Sequence, residues 1–134
     1  MPADEFGRRP AGAGVNLLVS DIGRALAFQR TVLQTTVIYA DDDFAVIDLP
    51  PAQWMFHADH TYRDHPLHGV ATAAEGRGAG VELRIYHHDP DAAEARATAH
   101  GYTVLAGSMD KPHGLRECYL IDDDGYVWVP SRAL

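Results

Sequence analysis

With 134 residues, 46% of them hydrophobic and 22% charged, the chain has the size and make-up of one ordinary globular domain, not of a disordered or fibrous protein. A formal charge of -8 argues against nucleic acid and anionic membranes as partners and favours neutral or cationic ligands. The lone cysteine, Cys118, rules out an intrachain disulfide and fits a reducing compartment, and "MPADEFGRRPAGAG" has no apolar signal core, so a cytoplasmic location away from membranes is expected.

Residues 1–12 read as a flexible polar arm. The alternation in "GVNLLVS" then predicts a strand, and "DIGRALAFQRTVLQ" places Ile22, Ala25, Leu26, Val32 and Leu33 at helical spacing behind Ser20 or Asp21 as the cap. "TTVIYA", "DFAVIDL" and "WMFHA" are β-branched or aromatic runs, the last two joined by "PPAQ" as a hairpin. The first module, 13–58, is therefore βαβββ. Residues 59–79 show little periodicity and read as a linker. The pattern then repeats over 80–134: the strand "GVELRIYHH", a helix with Asp89 as cap, Pro90 at its first position and Gly101 past its end, and the strands "YTVLAG", "LRECYLI" and "YVWVP". "DDDG" supplies the turn before the last strand. Gly14-Val15-Asn16-Leu17 aligns with Gly80-Val81-Glu82-Leu83, and Trp54 with Tyr126, as an internal repeat would have it.

The stretch "WMFHADHTYRDHPLHG" holds His57, His60, His65 and His68, half of the eight histidines. Imidazole is the commonest side-chain ligand for transition metals, but this spacing matches neither the paired helical histidines of H-E-x-x-H nor a finger-type set. The acidic runs "ADDDF" and "DDDG" lack the alternating ligands of a calcium loop and read as solvated turns.

The segments "GVNLLVSDIGRALAFQRTVLQ", "GVELRIYHHDPDAAEARATAHGYTVL" and "GLRECYLIDDDGYVWVP" resemble the glyoxalase / bleomycin resistance / extradiol dioxygenase (vicinal oxygen chelate) superfamily. The resemblance rests most on Gly114, Arg116 and Glu117 followed by Asp122, Asp124 and Gly125, with the Asp89/Asp91 helix start before them. Asp123 stands where the family usually has Pro, and Gln34 where the first helix usually stops at Gly. The resemblance implies an α+β fold of two βαβββ modules whose sheet curls around a cleft, and, in metalloenzyme members, one ligand from the first and one from the last strand of each module. Here those positions fall on Gly14, His57, Glu82 and Val129. Gly14 and Val129 cannot ligate, Asn16 nearby is a poor donor, and a catalytic zinc takes about three protein ligands. No cofactor is therefore expected; a divalent metal held by His57 and Glu82 is the alternative.

Strand alternation at this register turns Asn16, Phe44, Asp48, Met55, His57, Glu82, Arg84, Tyr86, Arg116 and Cys118 toward the cleft, together with Val127 and Val129. An apolar wall with few polar groups suits a small molecule. Glu82 and Arg84 either bind the ligand or form an ion pair with Arg116 or Asp48, Phe44 and Tyr86 either stack on it or fill space, and Cys118 reads as an inert buried thiol. Two functions follow. One is metal-free sequestration, of the bleomycin-resistance type, of a drug-like cationic aromatic compound; the other is a metal-dependent glyoxalase-type lyase, isomerase or dioxygenase. A homodimer is expected, because a curled sheet leaves strand edges for a symmetric contact to cover.

Overall fold

The computed structural model describes residues 3–134. The first module runs through β1 (Asn16–Val19), α2 (Ile22–Phe28), β2 (Thr36–Ala40), β3 (Phe44–Leu49) and β4 (Ala52–Ala58), preceded by a short helix α1 (Ala3–Gly7). After α3 (Pro66–Ala73) the second follows as β5 (Glu82–Ile85), α4 (Pro90–Ala99), β6 (Thr103–Asp110), β7 (Leu115–Ile121) and β8 (Val127–Ala133). Both main helices start as expected. The Asp21 carboxylate accepts the Arg24 N–H at 2.8 Å, and Asp89 accepts from Asp91 and Ala92, so each cap satisfies an otherwise orphaned donor. α2 runs on through a π-helical turn, Gln29–Leu33, and stops at Gln34 with φ 56°, a left-handed conformation that glycine would adopt without cost.

The strands form two four-stranded sheets, β1-β4-β3-β2 and β5-β8-β7-β6, in which only the β1/β4 and β5/β8 pairs are parallel. One face of each sheet carries apolar side chains, and these join the helices in a single core: Leu17, Ile47, Trp54 and Phe56 from the first sheet, Ile85, Leu120 and Trp128 from the second. Trp128 knits the halves together, with its ring centroid 5.7 Å from that of Trp54 and 6.4 Å from those of Phe28 and Phe56. The Tyr126 hydroxyl donates to the Leu18 carbonyl at 2.7 Å, and Arg77 grips Asp59 through two bonds of 2.7 and 2.8 Å. Each is a fixed bond between modules or across their connector.

The α+β fold of two βαβββ modules is as expected, its β-structure being two four-stranded sheets, neither closed. Two further segments carry structure that the sequence did not signal. Within the arm, Ala3–Gly7 form α1, and Phe6, the one large apolar side chain among residues 3–12, buries itself against Phe44 and Val46; residues 1–2 lie outside the described residues. The 59–79 linker folds too: a 3-10 turn spans Asp59–Tyr62, and α3 starts at Pro66 with His65 as its cap, Nδ1 accepting the Leu67 N–H at 3.0 Å.

Candidate binding surfaces on the two sheets

Opposite the core, each sheet presents a second face. On the first, register aligns Asn16 with Met55, Leu18 with His57, Phe44 with His57 and Val46 with Met55, so Asn16, Phe44, Val46, Met55 and His57 lie together as expected. The His57 ring stacks on Phe44 at 5.5 Å and 18°, and its Nδ1 lies 2.6 Å from Asn16 Oδ1. The Asn16 amide in turn donates to the Tyr62 hydroxyl at 2.9 Å. With the amide oriented by that bond, Oδ1 can only accept, so Nδ1 of His57 carries the proton and Nε2 keeps its lone pair. Burial pushes the His57 pKa below the usual histidine range and the charge of Asp41 offsets part of this, which keeps the ring neutral at physiological pH. Asp48 stands at the end of this face and accepts the Gln53 side-chain amide at 3.1 Å. It lines, with Phe6, Pro10, Pro51 and Met55, a pocket of about 480 Å³ between the arm and the β3–β4 hairpin.

On the second sheet Arg84 is the hub. Its guanidinium donates to Glu82 at 2.6 Å and to Glu117, and it lies 5.9 Å above the Tyr86 ring. Glu117, only 1% exposed, also accepts the Tyr119 hydroxyl at 3.0 Å and faces His113 Nε2 at 3.3 Å. Burial alone would push its carboxyl pKa up, but the bonds from Arg84, Tyr119 and His113 outweigh burial and hold it below the usual range. Glu82 thus pairs with Arg84 itself, where the sequence suggested Arg116 or Asp48 as the ion-pair partners. Arg116 and Cys118 are not on this face. Leu120 pairs with Trp128, which faces the core, so alternation along β7 turns Cys118 and Arg116 to the helix side and Glu117 and Tyr119 outward. Arg116 binds Asp91 at 2.7 and 2.8 Å, and the Cys118 thiol donates to the Pro90 carbonyl at 3.5 Å. Burial pushes that thiol up to about 11. Counting back from Trp128 across the "DDDG" turn would have found Glu117.

The metal-ligand positions shift as well. Gly14 precedes β1, and pairing with Met55 and Val127 makes Asn16 the equivalent of Glu82. The four positions are thus Asn16, His57, Glu82 and Val129. They do not fit a metal: the Asn16 oxygen is committed to His57, Glu82 to Arg84, and Val129 offers only methyl groups. Among the described residues no three His, Cys, Asp or Glu side chains gather as a ligand set. His60 pairs instead with Asp43 at 2.7 Å and His65 caps α3. Because the two sheets share a core on their helix-bearing faces, the His57 and Arg84 groups lie on different outer faces, and no hydrogen bond or ion pair among the described residues joins them. Near the strand starts, Val15 and Gln53 line a pocket of about 200 Å³ with Glu82 and Arg84.

No protein-family model and no curated protein matches the chain. Solved structures do. A glyoxalase/bleomycin resistance protein/dioxygenase from Nocardioides is 25% identical over 94% of this chain and 85% of its own, with a TM-score of 0.67. The chain has the glyoxalase/bleomycin resistance fold. A glyoxalase/bleomycin resistance protein/dioxygenase family enzyme from Burkholderia phytofirmans PsJN matches at 22% identity, 90% and 96% coverage and a TM-score of 0.71. TioX from Micromonospora sp. ML1 matches at 21% identity, 92% and 97% coverage and a TM-score of 0.65. The superfamily resemblance read from the sequence is borne out, and it spans binding proteins and enzymes alike, so function must be argued from the site. No helix among the described residues is long and apolar enough to cross a membrane.

Proposed function

We propose that the chain is a small-molecule-binding protein of the bleomycin-resistance type, which sequesters a drug-like cationic aromatic compound on a metal-free face of its first sheet. The carrying observation is the Asn16–His57 bond: it takes up the oxygen a metal would need and leaves Nε2 as an acceptor for a ligand N–H. Around it Tyr39, Phe44 and Tyr62 offer rings, while Asp41, Asp43 and Asp48 supply negative charge, a setting that favours a flat cation over an anion. A homodimer is part of the reading, because a surface open on one side gains an opposite wall from a second copy. β2 and β6 are sheet edges that leave Ile38 and Leu105 in water, as an interface would require.

A thermal-shift screen tests the ligand class. A planar aromatic cation at about a hundred times its dissociation constant stabilises the fold by roughly 2.7 kcal/mol, and His57→Ala abolishes most of the shift. Stabilisation by anionic thiol adducts or vicinal diketones, with none from cations, would overturn the reading and move the anchor to Arg84.

A further inference from the structure

Residues 3–12 are polar or small apart from Phe6, yet Phe6 is only 5% exposed. Its ring sits against Phe44 and Val46, with Tyr39 and Met55 at the sides, on the same face that carries His57. Everything else in the segment bonds to itself: Arg9 pairs with Glu5 at 2.6 Å, Arg8 with Asp4 at 3.6 Å, and the Arg8 and Arg9 N–H groups donate to Glu5 and Phe6 carbonyls. No hydrogen bond or ion pair among the described residues joins residues 4–12 to the sheet. One aromatic side chain is therefore the whole anchor, and behind it lies the pocket of about 480 Å³ whose wall the arm itself forms through Phe6, Pro10 and Ala11.

We infer that the N-terminal segment is a displaceable plug: Phe6 occupies a ring subsite on Phe44 and Val46, on the face that carries His57, and an aromatic ligand must expel it in order to bind. This rests on the binding function proposed above and adds to it the specificity of the subsite, which takes one flat ring where the structure already holds a phenyl group. The plug lowers affinity for every aromatic ligand by the same factor, since each must first strip Phe6 from its apolar seat. Burying one such side chain sets that factor at about 10- to 100-fold. A self-paired helix with no tie to the sheet loses little else on leaving.

The test is a fluorescence titration of the full chain with proflavine, a planar aromatic cation, in the unmodified protein and in Phe6→Ala and Phe6→Leu. The expected result is binding about 10- to 100-fold tighter in Phe6→Ala, with Phe6→Leu between the two. A fluorine label on the Phe6 ring should move to the resonance of a solvent-exposed phenyl group as proflavine saturates the protein carrying Phe6. Equal affinity in all three chains, or an unmoved fluorine signal at saturation, overturns the plug and leaves the binding function standing. Proflavine binding by none of them overturns both.

Discussion

Removing the Glu117 carboxylate should cost far more than its place on the outer face of a sheet suggests. Glu117→Ala leaves Arg84, whose side chain is 24% exposed, with Glu82 as its only carboxylate partner, and strands the Tyr119 hydroxyl. Breaking a buried pair costs about 3–5 kcal/mol; partial solvation of Arg84 brings the expectation to about 2–3 kcal/mol. With an unfolding entropy of about 2.1 cal/mol/K per residue, or about 0.28 kcal/mol/K for the chain, the melting temperature should fall by roughly 7–11 °C. Glu82→Ala is the control. Glu82 is 47% exposed and bonds Arg84 alone, so its loss should cost under about 1 kcal/mol, which is less than about 4 °C. Replacing both partners, Glu117→Leu with Arg84→Met, should recover most of the loss, because no charge is then left unpaired. Scanning calorimetry reads all three. Equal losses in Glu117→Ala and Glu82→Ala would refute the burial of Glu117 on the outer face of the second sheet and with it the register of β7.

The same register makes Cys118 inert: a thiol buried beneath α4 with its pKa pushed up to about 11 should resist a thiol reagent at pH 8 until denaturant is added, and rapid native labelling would contradict it. His57 has a folded pKa below its unfolded value, so its contribution to stability is full above about pH 6.5 and is lost as pH falls through the folded pKa; the melting temperature should drop on acidification below about 6.5, and His57→Gln should flatten that slope. Light scattering at micromolar concentration should give the mass of two chains, and a monomer would mean that the surfaces work without an opposite wall.

The order of elements was legible because each signal was local. Caps at Asp21 and Asp89, Pro90 at a helix start and β-branched runs between turns need no distant partner to act, and both βαβββ modules followed from them. The first-sheet face was legible for the same reason: a hairpin closed by "PPAQ" fixed alternation through Phe44, Met55 and His57. The second failed by one position. A one-residue error across the "DDDG" turn moves every side chain of β7 to the other face, which is how Arg116 and Cys118 were exchanged for Glu117 and Tyr119. Phe6 was hidden for a different reason. A single apolar residue carries no periodicity, and its burial depends on a seat built by residues far along the chain, Phe44 and Val46.

Metal content tests the central claim, that the ligand-facing surface works without a metal, most directly. Elemental analysis of the purified chain after exchange against zinc, cobalt and manganese should find far less than one ion per chain, because Asn16, Glu82 and Val129 cannot complete a set around His57. One tightly held ion per chain, lost in His57→Ala and in Glu82→Ala but kept in His60→Ala and His65→Ala, would contradict the account and make the protein a metal-dependent member of the superfamily.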